Sequence, residues 1–323
     1  MTTNATGIVA THRRVLLCVV ALFLATTSRA VGEDEASPTA IFSRAYDAAS
    51  RACQGVGADF EYAPLTDGLG VRKASASIQF AAPSFIPGQY FFMSPSFRWT
   101  EYETPGSSLL ANDATRLYTA SQTVGIGASF TDALSLRAFV GVEWSGDGKV
   151  SSSHAWRYSG AAVGAWKASD SLSWLFGVVY TDASDYRVIP FVGATWLPRE
   201  DLKIDLTFPS PKIAKRLDPL WDGADSLATN WIYLSGGIGT GGGVFRAIGR
   251  EHGSKISKTG KLEEREFRVG VGLESDTCLG ANFAVETGVG FARKFERASL
   301  SGERWRECRR PDPTFYLKTR VWF

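Results

Sequence analysis

The chain ends in the stretch Phe315-Tyr316-Leu317-Lys318-Thr319-Arg320-Val321-Trp322-Phe323. Successive side chains of a β-strand point to opposite faces, so every second residue shares a face. The stretch therefore predicts a strand whose polar face carries the two basic residues between its apolar positions. Its opposite face is apolar and carries Phe315, Leu317, Thr319, Val321 and Phe323.

The same alternation recurs upstream. In Leu134–Trp144 the even-numbered positions are apolar, while Arg137 and Glu143 lie between them. A run with this period predicts a strand with one apolar and one polar face. Similar runs are Leu202–Phe208, Phe267–Glu274 and Phe283–Phe291. The chain is therefore predicted to form many short, two-faced strands.

The connections between these runs alternate in length. Counted back from the C-terminus, 297–313 is long, 275–280 short, 250–264 long, 240–242 short and 209–229 long. Outer-membrane barrels have short periplasmic turns and longer outer loops. We therefore predict an all-β fold, an antiparallel up-and-down transmembrane β-barrel of about 14 strands, with 12 as the alternative. An even strand count places both ends of the barrel on the periplasmic side.

The first residues indicate export. Basic residues at 12–14 precede the apolar run Val15–Ala25, and small residues occupy Ser28 and Ala30. This run is shorter than the roughly 20 residues of a membrane-spanning helix and has the layout of a cleaved signal peptide. We predict a signal peptide at 1–30, a segment at 31–55 that can form a short helix, and the barrel at 56–323. The segment 31–55 is expected to be a periplasmic leader, with a plug inside the lumen as the alternative. The predicted location is the bacterial outer membrane.

Composition fits this prediction. Removing residues 1–30, which carry three Arg and no acidic residue, changes the net charge from +2 to −1. A balanced charge of this kind argues against a nucleic-acid partner. The chain has 10 Trp, 10 Tyr, 20 Phe and 33 Gly, which is typical of a barrel. The expected partners are outer-membrane lipid and, for a channel, small solutes.

The last strand resembles the sorting signal of bacterial outer-membrane barrels, which have an apolar face and a terminal Phe. The resemblance implies that the barrel-assembly machinery reads this strand during biogenesis. The C-terminal half, roughly 200–323, also resembles an uncharacterised family of outer-membrane-barrel type. That resemblance implies a fold but no activity. It rests on Phe208–Ile213, Trp231–Gly243, Glu266–Glu274 and Val285–Phe291.

Charged residues on the predicted inner faces are the candidate functional residues. They can line a polar pore, or they can pair across neighbouring strands, as Arg268 and Glu286 would. The sequence leaves both alternatives open. The candidates are Arg98, Arg137, Glu143, Lys203, Asp205, Arg268, Glu274, Glu286, Lys318 and Arg320.

Catalytic motifs are weak. Gly237, Gly239 and Gly242 match a dinucleotide-binding string, but no helical pattern follows, so a Gly-rich hairpin is expected instead. Ser153 with His154 and His252 with Glu251 are hydrolase candidates in predicted outer loops. A nucleophile and its base must lie within hydrogen-bond reach and be oriented by a third group. Adjacent strand residues point to opposite faces, so Ser153 with His154 is a poor pair unless a turn rearranges it. We expect no enzyme, no cofactor and no metal site.

Three cysteines remain after cleavage. Cys53 and Cys278 fall on the predicted periplasmic side and Cys308 in an outer loop. Disulfide Cα atoms lie within about 7 Å, whereas the hydrocarbon layer is about 30 Å thick. A disulfide, if one forms, is therefore expected between Cys53 and Cys278.

Three functions remain, in this order. The first is a passive, porin-like channel for small solutes. The second is a structural or surface-interaction barrel with an occluded lumen, and the third is a membrane-embedded lipid hydrolase.

Overall fold

The computed structural model describes residues 55–84, 86, 88–104, 114–150, 152–181, 188–217, 228–251, 254–277, 281–300 and 306–323. The predicted signal peptide and all but the last residue of the predicted leader lie outside these ranges. The predicted disulfide also lies outside them, because neither Cys53 nor Cys278 is described. Cys308 is described and carries an exposed, free thiol.

Strands account for nearly all of the described structure. The one helical turn among the described residues is Ser153–Ala155. No helix in this part of the chain has the length and hydropathy of a membrane-spanning helix. The strand segments are β1 (Gly55–Thr66), β2 (Leu69–Pro83), β3 (Gln89–Glu103), β4 (Ala114–Ser129), β5 (Leu134–Gly146), β6 (Trp156–Lys167), β7 (Leu172–Thr181), β8 (Val188–Arg199), β9 (Leu202–Asp205), β10 (Lys212–Leu217), β11 (Ala228–Glu251), β12 (Ser254–Thr277), β13 (Asn282–Ser299), β14 (Arg306–Arg309) and β15 (Thr314–Trp322).

The segments form one closed antiparallel barrel. Each of β1 to β13 pairs with the next along the chain, and the ring closes through β13, β15 and β1. β14 and β15 pair with successive stretches of β13, so they are two pieces of one wall strand. In the described residues the wall thus has 14 strands, which confirms the prediction. Gly55 and Phe323 lie at the same end, here called the terminal end, and the opposite end is the far end.

An apolar band covers the outer face of the wall. Val140 and Val192 are each 63% exposed, and Phe315 is 72% exposed. Water-soluble proteins rarely expose a contiguous apolar surface of this size, whereas a lipid-facing surface requires one. The band includes Phe60, Phe97, Val124, Ile126, Leu136, Phe176, Val178, Ile213, Leu234, Val269, Val271, Phe283 and Val285.

The last strand has the two faces that its sequence predicts. Phe315, Leu317, Val321 and Phe323 are exposed on the outer face. Tyr316, from the alternate set, is buried at 4% exposure. Pairing with β1 and β13 on its two sides makes this strand the closing element of the ring.

Three predicted connections are wrong. Residues 240–242 and most of 250–264 lie within β11 and β12, which pair without interruption from Ala228 opposite Thr277 to Glu251 opposite Ser254. The ladder with β12 holds these glycines in a strand although glycine favours turns. The predicted long loop 209–229 contains β10. The strand count is right because the extra turn and the missed strand offset each other.

Two short strands lower part of the wall. β9 has 4 residues and β10 has 6. On β8 the last described pairing with β9 is Thr195 with Asp205, and on β11 the last with β10 is Ser235 with Lys212. Toward the far end, residues 188–192 of β8 pair with β7 but with no described strand on their other side. Residues 237–240 of β11 likewise pair with β12 but with no described strand on the side of β10. Pro190 lies in this stretch of β8, where a residue without an N–H suits an unpaired edge.

Opposite substitutions on adjacent residues of β7 test the assignment of faces. Val178 is 42% exposed on the apolar band, whereas Val179 points inward. Val178→Lys should lower the free energy of unfolding by about 2–4 kcal/mol, the cost of Lys on a lipid face near mid-membrane. Val179→Lys, the matched control, should cost well under half as much. Urea titration in lipid vesicles measures both, and equal losses would contradict the orientation of β7.

Candidate functional site

The lumen is the candidate site, because the predicted residues converge there. Lumen-facing positions are identified by contacts between strands that are not neighbours, such as Arg268 of β12 with Glu61 of β1. Directly paired residues share a face, which extends the assignment around the ring. All ten predicted positions lie on the inner face. They are Arg98, Arg137, Glu143, Lys203, Asp205, Arg268, Glu274, Glu286, Lys318 and Arg320.

An apolar cluster fills one side of the far half. Tyr102 and Leu262 are 0% exposed, and Leu117 and Phe295 are 1% exposed. The rings of Tyr102 and Phe295 lie 5.6 Å apart although their strands are not neighbours. We call this cluster the apolar plug. Its members are Ala63, Leu69, Val71, Tyr102, Leu117, Phe245, Leu262, Phe295 and Tyr316.

A bulge in β13 supplies part of the plug. Up to Gly290 the even-numbered residues of β13 face inward, opposite inward residues of β12. The register then shifts at Ala292, whose φ is 48°. Beyond the bulge Phe295 and Arg297, at odd-numbered positions, are buried at 1% exposure each. A bulge places two residues against one and reverses the alternation, and strict alternation in the sequence did not predict it.

The far part of β11 crosses the lumen to β5. Ser145 Oγ donates to the carbonyl of Gly242 at 2.8 Å, and the N–H of Asp147 donates to the carbonyl of Val244 at 3.0 Å. The N–H of Arg246 donates to Asp147 Oδ2 at 2.8 Å. We call residues 241–246 the crossing segment. It separates a filled arc, β11–β15 with β1–β4, from an open arc, β5–β10.

Charged residues pair across the filled arc. Arg268 donates two hydrogen bonds of 2.7 Å to the carboxylate of Glu61 and also pairs with Glu266. Lys73 Nζ lies 3.3 Å from Glu61 and 3.1 Å from Glu264. Charge-assisted, bidentate pairs are the strongest class of side-chain hydrogen bond. Five acidic and basic groups are thus held together within the lumen.

Glu286 and Arg268, suggested as a pair from the sequence, do not form one. In the ladder Arg268 lies opposite Gly290, two inward positions away from Glu286. Glu286 instead accepts hydrogen bonds from Ser235 Oγ at 2.9 Å and from the hydroxyl of Tyr316 at 2.8 Å. Arg268 instead pairs with Glu61 and Glu266.

The open arc has a different lining. Most of its inward side chains are half-buried, and most are small or apolar. Phe139, Ala161, Val179 and Ile189 form one row across β5 to β8, since each pairs with the next. A second row holds Arg137, Val163, Gly177 and Phe191. This part of the lumen is therefore less densely packed than the apolar plug.

A cavity of about 280 Å³ lies on the terminal side of the plug. Four cationic side chains line it, Lys212, Arg268, Lys318 and Arg320, together with the carboxylates of Glu274 and Glu286. Lys212 pairs with Glu274, and Arg320 with Asp59. Lys318 makes no ion pair with any residue that the structure describes.

The hydrolase candidate pair Ser153 and His154 is not assembled into a site. His154 is exposed, and its Nδ1 lies 3.3 Å from Ser152 Oγ rather than facing Ser153. His252 and the side chain of Glu251 lie outside the described residues. Where the chain is described, no cluster of His, Cys, Asp and Glu has the arrangement of a metal site.

The buried charge pair predicts a measurable difference between two inward carboxylates of β1. Glu61 and Arg268 are 10% and 14% exposed, whereas Asp59 and Arg320 are 33% and 50% exposed. Glu61→Ala should lower the free energy of unfolding by about 3–5 kcal/mol, because it removes the carboxylate that the buried cations Arg268 and Lys73 share. Asp59→Ala should cost about 0–1 kcal/mol. Urea unfolding in vesicles distinguishes them, and a Glu61→Ala loss below 1 kcal/mol would mean that water screens the pair.

No family model and no curated protein matches this sequence. The resemblance of the C-terminal half to an uncharacterised family therefore gains no support beyond the barrel type. Solved outer-membrane proteins do resemble the chain. KdgM porin is 10% identical over 83% of this chain and 98% of its own, with a TM-score of 0.33.

Two others are comparable. An outer membrane channel from Pseudomonas putida F1 is 10% identical over 84% of this chain and 94% of its own, with a TM-score of 0.41. The translocator domain of the autotransporter NalP from Neisseria meningitidis is 11% identical over 88% and 95%, with a TM-score of 0.35. The chain is similar to these proteins as a barrel, and the likeness carries no information about its activity.

Proposed function

We propose that this protein is an outer-membrane channel through which small solutes pass along the open arc. The observation that carries the proposal is the contrast between the two arcs. Most inward side chains of β5 to β8 stay half-exposed, whereas those of the plug are buried. A 14-stranded wall encloses more space than side chains alone fill, unlike a wall of about eight strands.

The far end would face the exterior and the terminal end the periplasm. This orientation follows the general pattern of outer-membrane barrels, in which both chain ends are periplasmic. The apolar band would contact lipid, and the outer face of the last strand would be read by the assembly machinery through strand addition. The substrate would be a small solute, since the plug and the crossing segment leave only part of the far half of the lumen open.

A structural barrel with an occluded lumen is the second candidate. The crossing segment favours it, because hydrogen bonds hold that segment to β5 across the lumen. If the segment stays in place and the open arc is too narrow, the folded barrel conducts nothing. Conductance therefore separates the two functions.

The first conductance experiment uses the refolded chain without residues 1–30 in a planar bilayer. Stable single-channel steps are expected, and Val179→Lys should shift the reversal potential in a KCl gradient toward anion selectivity, because it adds a cation to the open arc. Lys215→Gln changes an exposed charge on the outer face and is the control. A folded barrel without steps would sink the channel proposal and favour the structural one.

The second experiment releases the crossing segment. Asp147→Ala combined with Ser145→Ala removes the side-chain hydrogen bonds to Arg246 and Gly242. We expect larger or additional conductance levels, since each lost bond contributes about 1 kcal/mol to holding the segment. Asp132→Ala, at an exposed turn of the terminal end, is the control. Unchanged conductance would show that the segment does not limit the passage.

A further inference from the structure

The wall has an opening on one side, toward the far end. Its two edges are residues 188–192 of β8 and residues 237–240 of β11. No described strand lies between these edges and pairs with either of them. The tip of the β9–β10 hairpin borders it on the side of the terminal end. There the N–H of Leu206 donates to the carbonyl of Ala194 at 2.8 Å, and the N–H of Gly236 donates to the carbonyl of Pro211 at 2.9 Å. We call this space the lateral opening.

The lateral opening lies at the level of the apolar band. Val188 and Val192 are 61% and 63% exposed on the outer face of β8, and Ile238 is 39% exposed on β11. Charged outward residues begin on β12 only at Arg265, beyond Phe267, which pairs with Ile238. The opening therefore connects the lumen with lipid chains rather than with water.

The rims leave the opening passable for an apolar chain. On β11 a Cβ added to Gly237 would meet only Ser210 Oγ, at 3.8 Å. On β8 the inward residues Ile189 and Phe191 are apolar and continue the lining of the open arc. An alkyl chain lying across this rim would meet apolar side chains except at Ser210 and Thr240, which carry hydroxyls and no charge.

A cationic cavity lies directly behind the opening. The 280 Å³ cavity is lined at one side by Pro211, Gly237 and Ile238 of the rim and at the other by Lys318 and Arg320. The carboxylate of Glu286, opposite Lys318 in the ladder, is turned to Ser235 and Tyr316 instead. Lys318 thus presents a half-buried ammonium that has no ion pair among the described residues.

We propose that the lateral opening admits an anionic single-chain amphiphile from the surrounding leaflet, with its alkyl chain across the rim and its carboxylate at Lys318. The inference deepens the proposed channel function, on which it rests, by naming the substrate class. Its two halves follow from two separate features: the apolar rim selects the chain, and the unpaired ammonium selects the charge. A neutral ester with the same alkyl chain could contact the apolar rim but could not pair with the ammonium of Lys318.

The test uses the barrel in phosphatidylcholine nanodiscs with palmitate that carries a mid-chain diazirine. After irradiation, mass spectrometry should locate label at 188–192, 237–240 and the hairpin tip. Lys318→Gln should lower the yield about tenfold, as expected for the loss of one hydrogen bond to a charged group. The methyl ester of the same probe should label the parent and Lys318→Gln equally, at the yield that palmitate gives with Lys318→Gln. Lys215→Gln, which removes an outer-face lysine, should match the parent.

Two variants fill the opening, one from the β11 edge and one from the tip of the β9–β10 hairpin. Gly237→Leu and Ser210→Phe should each abolish labelling there, and the second keeps the test decisive if the first fails to fold. Label spread evenly over the apolar band, or equal labelling by acid and ester, would overturn the proposal. Site-specific labelling without conductance would sink only the channel function, whereas conductance with evenly spread label would sink only the lateral site.

Discussion

The rest of the structure depends on the pairing of backbone N–H and C=O groups inside a membrane. Lipid offers these groups no partner, so strands can span it only as a closed ring. Pairing of β1 with β15 meets this demand and joins the two ends of the described chain. The apolar band then follows, because each wall strand must turn one face to lipid and the other inward.

The ring is complete near the terminal end and interrupted toward the far end, and both facts have the same cause. β11 has 24 residues, whereas β10 beside it has 6. Beyond Gly236 β11 loses its neighbour on that side and leans across the lumen to β5. One displacement therefore creates the crossing segment, divides the lumen into two arcs and leaves the lateral opening. Pro190, which lacks an N–H, lies at the edge that this displacement exposes.

Inside the ring, ion pairs and packed aromatic side chains fill different parts of the lumen. Arg268, Glu61 and Lys73 satisfy one another in the filled arc, where the surrounding protein would make a lone charge costly. Aromatic rings lie on glycines of neighbouring strands, as Tyr90 does on Gly127, where a Cβ would come within 2.2 Å of the ring. Much of the glycine in this chain thus makes room for large inward side chains, which explains a composition rich in both.

The sequence alone determined the fold class, the two faces of the last strand and the inward-facing positions of the ten charged candidates, but not the strand boundaries between 209 and 264. The features it determined follow from period-two alternation, which is local and has only two outcomes for each residue. Tertiary structure alone decided the partners of Arg268, the bulge at Ala292, the continuity of β11 through its glycines and the opening beside β8. Each of these depends on register between strands far apart in the chain, and a one-residue shift in register changes every partner while leaving the local pattern intact.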